Sequence, residues 1–280
     1  MPEVTSFLDN KTNNYFLGNT QVTLNSFDSV AANDPDAQAF IDVTGISGSN
    51  ATAINTLVVD LKAGGFWTGL KAIYPMVGGT ATSCKYNLKN PVDSDAAFRL
   101  SFGGGWTFSN SGGAIPDGAA GTYADTFLSP ATHLTPTNGH ISYYSLTNSN
   151  LGGGMAEFGC DDGGNETILA ASFGDTFYVF YAGPGGAGTN NSSSQGFYIN
   201  NRAANTEGWR NGTRIINSGD GTVSVPTRVV YLAAQNNGDP NFRNSDRACG
   251  YSSIGDTLSD PAAYTTIINT FNTTLGRNTF

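Results

Sequence analysis

From Phe66 onward the chain breaks into short apolar runs separated by Gly, Asn, Asp and Ser, and this limits the folds open to it more than any other feature. The runs are KAIYPMV (71–77), FRLSF (98–102), GWTFS (105–109), GHISYYSLT (139–147), MAEFGC (155–160), ETILAASF (166–173), TFYVFYA (176–182), QGFYINNRA (195–203), GTRIIN (212–217) and RVVYLAAQ (228–235). Each is too short for a stable helix and rich in β-branched and aromatic residues, so each reads as a strand. CDDGGNE (160–166) and FGDT (173–176) place Gly where a hairpin needs positive φ. Many short strands at close spacing predict a mainly β fold, a β-sandwich or jelly roll. No solenoid or propeller period is present.

Helical signals lie outside this region. DPDAQAFIDVTGI (34–46) offers a short helix, and SNATAINTLVVDLKAGG (49–65) a longer one with Ile54, Leu57, Val58 and Leu61 as its stripe, Ser49 or Asn50 as cap and Gly64 as stop. LSDPAAYTTIINTFNTTLGR (258–277) reads as an amphipathic helix over 260–275, with Ser259 at the N-cap, Pro261 in the first turn and Gly276 beyond the end. Its stripe is Tyr264, Ile267, Ile268, Phe271 and Leu275. Such a helix suits a cover for sandwich surface. Residues 1–35 hold Phe7, Leu8, Tyr15, Phe16, Leu24 and Phe27 with no sustained period, which predicts an N-terminal arm used for assembly or anchoring. The expected organisation is an arm (1–35), short helices (36–65) and a sandwich with its terminal helix (66–280).

Charged residues are only 12% of the chain while Gly numbers 36, a neutral polar surface that suits extracellular or virion-exposed β proteins better than cytoplasmic enzymes. The net charge of −9 argues against nucleic acid and anionic membrane surfaces as partners. No run is long enough to insert in a membrane, and MPEVTSFLDN has no secretory pattern, so synthesis in a cytoplasm without a leader is expected. Cys84, Cys160 and Cys249 lack metal or disulfide spacing and read as buried thiols.

The segments NTLVVDLKAGGFWTGLKAIYPMVGGTATSCKYNLKNP, GWTFSNSGGAIPDGAAGTYADTFL, GHISYYSLTN and RVVYLAAQNNGDPNFRNSDRACGYSSIGDTLSDPAAYTTIINTFNTTLGR, in that order, resemble structural proteins of tailed bacteriophages, most strongly those of gut Bacteroidales phages. The resemblance spans roughly residues 50 to 277. It implies a concanavalin-A-like, laminin-G-type jelly roll and a place on the virion exterior as a fibre, tail-associated or capsid-decorating subunit. Other virion proteins, further copies of the chain in a homo-oligomer and a host-surface glycan are the implied partners. A stand-alone carbohydrate-binding module and a glycoside hydrolase on the same sandwich are the alternatives.

Enzyme signatures are missing. His133 and His140 are the only histidines, Glu occurs only at positions 3, 157, 166 and 207, and no H-E-x-x-H, G-x-S-x-G or Gly-rich phosphate loop occurs. The E-x-D-x-x-E strand of laminarinase-type glycosidases on this fold has no counterpart here. Trp209, flanked by Glu207, Arg210 and Asn211 in NTEGWRNGTR, is the candidate glycan-binding group, since an aromatic ring stacks on a sugar face while amides and charges read its hydroxyls; the alternative is a Trp folded over a sheet edge. Trp67 and Trp106 lie in apolar segments and are expected in the core. Asp161, Asp162, Asn165 and Glu166 form the densest set of oxygen ligands, readable as a Ca²⁺ loop or as an ordinary hairpin turn. The turn is the expectation, and no cofactor is required.

Overall fold

The computed structural model describes residues 32–149, 154–183, 185–219 and 224–280, together with the backbone of three strands nearer the N-terminus. These are Ser6–Asp9 (β1), Asn14–Leu17 (β2) and Thr20–Val22 (β3). They pair as an antiparallel meander, with Phe7 opposite Phe16 and Tyr15 opposite Val22, an order that the irregular apolar spacing did not announce. The chain divides into two units, Met1–Asn33 and Asp34–Phe280. Of the rest of the expected arm, residues 32–35 lead into the first helix and the remainder lies outside the described residues.

The second unit begins with helices Pro35–Thr44 (α1) and Gly48–Ala63 (α2). Its strands are Leu70–Tyr74 (β4), Ser101–Gly103 (β5), Trp106–Ser109 (β6), Gly113–Pro116 (β7), Tyr123–Asp125 (β8), Gly139–Ser145 (β9), Phe158–Asp161 (β10) and Glu166–Ala170 (β11). They continue with Thr176–Gly183 (β12), Gly186–Asn190 (β13), Gly196–Arg202 (β14), Thr206–Arg210 (β15), Thr213–Ser218 (β16), Tyr231–Leu232 (β17), Gln235–Asn236 (β18) and Cys249–Gly255 (β19). Two one-turn helices, Ala81–Cys84 (α3) and Pro130–His133 (α4), lie between strands, and Pro261–Thr274 (α5) closes the chain.

The strands form two eight-stranded sheets, one ordered β16-β15-β14-β9-β19-β7-β6 with β4 also on β19, the other β13-β12-β11-β10-β17-β8-β5 with β18 on β10. All pairs are antiparallel except β10 with β18. The result is the expected mainly β sandwich with short N-terminal helices and a C-terminal helix.

One core fills the space between the sheets, with Tyr74, Ile141, Tyr143, Phe158, Leu169, Phe177, Val179, Tyr198 and Leu232 at its centre. A second core lies between the first sheet and the helices, where Ile54, Leu57, Leu61, Tyr144, Phe197, Ile199 and Tyr251 meet Tyr264, Ile268 and Phe271 of α5. Alternation explains the division: Ile141 and Tyr143 of β9 point to one core and Tyr144 to the other. Strands β9, β14 and β19 are therefore buried along their whole length. The terminal helix covers a sheet face, which accounts for its apolar stripe.

Local signals hold with small shifts. Helix α5 is capped by Asp260, whose Oδ1 accepts from the Ala263 N–H at 2.9 Å, rather than by Ser259; the helix begins at Pro261, which puts Asp260 at the N-cap and Ala263 at N3. Gly276 takes φ +71 beyond the helix, as a C′ glycine should. Helix α2 starts two or three residues earlier than expected, after Ser47, which makes no side-chain cap bond, so neither Ser49 nor Asn50 is the cap. Cys84, Cys160 and Cys249 are free and buried. Trp67 and Trp106 are half-buried, packed on the margins of the cores instead of inside them.

Candidate functional site

Helices cover the outer face of the first sheet and leave the outer face of the second to its own side chains. In β12 Phe177 and Val179 enter the inter-sheet core, so Tyr178 and Phe180 must point outward. Ile168 and Ala170 of β11 lie beside them, register partners of Phe180 and Tyr178. The neighbouring edge strand β13 offers only glycine next to the two rings: a Cβ on Gly186 would come within 2.2 Å of the Phe180 ring, and one on Gly188 within 2.5 Å of the Tyr178 ring. Missing side chains on β13 thus make the room in which both rings lie.

A two-residue hairpin at Gly174 and Asp175, both at positive φ, places Phe173 at the end of this surface, with Phe173 and Thr176 exchanging backbone bonds of 2.7 and 3.2 Å. Gly154 leaves space for the Phe173 ring, which a Cβ there would approach to 2.0 Å. Arg243 arrives from the loop after β18. Together Ile168, Ala170, Phe173, Tyr178, Phe180 and Arg243 line a groove of about 250 Å³, a volume just under the ~300–1,000 Å³ of drug-sized pockets.

Arg243 is held on three sides. Its guanidinium lies 5.1 Å from the Phe173 ring centre and 4.9 Å from that of Phe242. Its Nη1 donates to Gln235 Oε1 at 2.6 Å, and Gln235 Nε2 donates to Asp161 Oδ2 at 3.3 Å. Asp161 is thereby joined to the groove through an amide. Its cross-strand partner Glu166 is half-buried; burial first, then the Asp161 charge, push its carboxyl up, and Arg243 opposes them.

The four oxygen-ligand residues do not converge on a point. Asp161 Oδ1 accepts from the Gly163 N–H at 2.7 Å, and Asp162 Oδ2 accepts from the Thr227 N–H at 3.0 Å while its Oδ1 takes the Asn165 N–H at 3.2 Å. Burial works to raise the Asp162 carboxyl, but the Thr227 and Asn165 bonds outweigh it and hold it low. Among the described residues no group of three His, Cys, Asp or Glu is placed to hold a metal. The segment has the geometry of a hairpin turn.

The Trp209 group is also spoken for. Trp209 lies within β15, half-buried against the helix-side core, and its Nε1–H donates to Glu207 Oε2 at 2.9 Å. Glu207 Oε1 takes the Arg214 Nη1–H at 2.8 Å. Burial raises the Glu207 carboxyl, but the bonds from Trp209, Arg214 and Asn201 outweigh it and leave it lowered. Asn211 and Gly212, at φ +51 and +79, form the hairpin turn itself, and Asn211 Oδ1 accepts from the Phe197 N–H at 2.8 Å. Arg210 lies over Tyr198 at 5.8 Å. The Trp has folded over its sheet.

The signal that would have found the groove was legible: TFYVFYA carries aromatics at both inward and outward positions of one strand, and an outward pair is unusual on a solvated face. Arg243 had no such signal.

No family model and no curated protein matches the sequence. Among solved structures, domain 4 of AbnA, an extracellular GH43 arabinanase of Geobacillus stearothermophilus in complex with arabinotriose, is 13% identical, with 71% of this chain and 98% of that one covered and a TM-score of 0.46. A Trypanosoma rangeli sialidase mutant displaying trans-sialidase activity is 10% identical, with 79% and 39% covered and a TM-score of 0.49. This chain thus spans about two fifths of that sialidase.

Proposed function

We propose that this protein is a non-enzymatic, carbohydrate-binding β-sandwich subunit of a tailed-phage particle, and that its groove contacts a glycan of the host surface. The observation that carries the sugar-binding part is the pair Tyr178 and Phe180, projecting side by side from β12 over glycines of the edge strand, with Arg243 beside them. Sugar rings offer a C–H face to aromatic π-systems and hydroxyls to amide and guanidinium donors, and this groove supplies both. The non-enzymatic reading is supported by the engagement of four of the carboxylates: Glu157 and Glu207 are in ion pairs, and Asp161 and Asp162 accept backbone N–H groups. The resemblance across residues 50 to 277 supports the virion setting, in which residues 1–35 would join the sandwich to other virion proteins or to further copies.

The test is binding of the full chain to a glycan array, with Tyr178→Ala and Phe180→Ala beside it. Retention of one or more glycans, lost at least tenfold in either variant at unchanged melting temperature, is the expected outcome. No retention by the wild-type chain rejects the reading, and release of new reducing ends from a retained glycan would replace it with hydrolase chemistry. Mass spectrometry of purified particles tests the virion setting separately, since a stand-alone module would bind sugar yet be missing from them.

A further inference from the structure

We infer that the groove selects a glycan carrying a single carboxylated sugar unit in an otherwise neutral chain, with Arg243 as the group that receives the carboxylate. The inference rests on the sugar-binding reading above and adds the class of ligand. Of the five N–H groups of a guanidinium, one of Arg243 is engaged among the described residues, by Gln235 Oε1. Six described lysines and arginines are in ion pairs with carboxylates, Lys62, Lys71, Lys85, Arg99, Arg214 and Arg247; Arg243 is in none of these pairs, and it is the cation that lines the groove. It lines an aromatic groove with its charge uncompensated at contact range.

The backbone points the same way. Arg243 adopts φ +55, a left-handed conformation that a long side chain takes at some energetic cost. Its carbonyl is fixed by the Ala156 N–H at 3.0 Å, and the rings of Phe173 and Phe242 hold the guanidinium plane. A cation rigidly presented in this way matches a planar carboxylate, which accepts two parallel N–H bonds where a hydroxyl accepts one. The Asp161–Gln235–Arg243 chain explains the orientation: the amide turns its oxygen to Arg243 and its nitrogen to Asp161, so the nearby carboxylate orients the guanidinium without occupying it.

Charge also limits the ligand. A net charge of −9, with Asp161 joined to Arg243 through Gln235 and Glu166 opposite Asp161 across the strands, repels a polyanion, so a lone carboxylate in a neutral chain is the form that gains the Arg243 contact without the repulsion.

The experiment presents the full chain with an array of neutral oligosaccharides, the same chains bearing one uronic acid unit, aldotetraouronic acid among them, and carboxyl-reduced copies of each acidic member. Acidic members should be retained, with carboxyl reduction weakening binding about tenfold. Arg243→Gln should weaken the acidic members alike and leave neutral ones unchanged, and Arg243→Lys should restore part of the loss. Retention of neutral and acidic members equally, sensitive to Tyr178→Ala but not to Arg243→Gln, overturns the ligand class and leaves sugar binding standing. Retention of polyanionic glycans in preference to singly charged ones overturns it as well, and no retention at all removes both.

Discussion

Glu157 and Arg247 form an ion pair in which neither side chain has any solvent exposure. The carboxylate also accepts from the Ala171 N–H and from Ser245 Oγ at 3.1 Å. The guanidinium spans to the Ser149 carbonyl at 3.0 and 3.1 Å and to the Ser172 carbonyl at 2.8 Å. This pair ties the segment before β10 to the segment before β19 and so joins the two sheets at one end.

Breaking the pair should be severe. Glu157→Gln leaves the guanidinium buried without its counter-charge, a loss of about 3–5 kcal/mol. Urea melts should show it, and the double variant with Arg247→Met should fall short of the sum of the two single losses. Additive losses would mean that the pair is not coupled.

His140 makes stability depend on pH. It is fully buried, its Nδ1–H donates to the Asp256 carbonyl at 2.6 Å, and its Nε2 lies 3.0 Å from Ser253 Oγ. Ser253 Oγ is also bonded to Ser142 Oγ at 2.6 Å and Tyr264 Oη at 2.9 Å. Burial pushes the His140 pKa from 6.5 down to about 4, against the Asp256 carbonyl, which pulls the other way. Because the folded pKa lies below the unfolded one, the unfolded chain binds the proton first. The contribution is therefore full above pH 6.5 and is lost as pH falls toward about 4, in total about 3 kcal/mol. Melts at pH 7.5, 5.5 and 4.5 should show a steeper decline in the wild type than in His140→Asn.

Gly188→Val should close the groove without unfolding the protein. A Cβ there would meet the Tyr178 ring at 2.5 Å, and the half-buried ring can swing away into the groove. Glycan retention should drop at least tenfold while the melting temperature stays within a few degrees. Unchanged retention would place the sugar elsewhere.

Ile268→Asp tests the cover helix. Ile268 is fully buried between α5 and the first sheet, and an unpaired carboxylate there should destabilise the unit by roughly 4 kcal/mol or more. An unchanged melt would mean that the helix is dispensable.

Local chemistry was enough for much of this protein. Pro261 and Gly276 bracket α5, Gly174 and Asp175 turn the β11–β12 hairpin, and alternation along β12 separates Tyr178 and Phe180 from Phe177 and Val179. Each depends on φ preferences or on period-two geometry within a few residues. Alternation assigns residues to opposite faces, however, and does not say what lies beyond each face. That was decided when α2 and α5 docked on the first sheet, so that Trp209 and Glu207 pack on the helix side while Tyr178 and Phe180 stay on a face no helix covers. Arg243 reached the groove, and Arg247 reached Glu157 across 90 positions of sequence, because burying two sheet faces at once fixes the paths of the loops between them. No local rule contains that choice: it follows from minimising exposed apolar area over the whole unit, and the ion pairs and the groove follow from it.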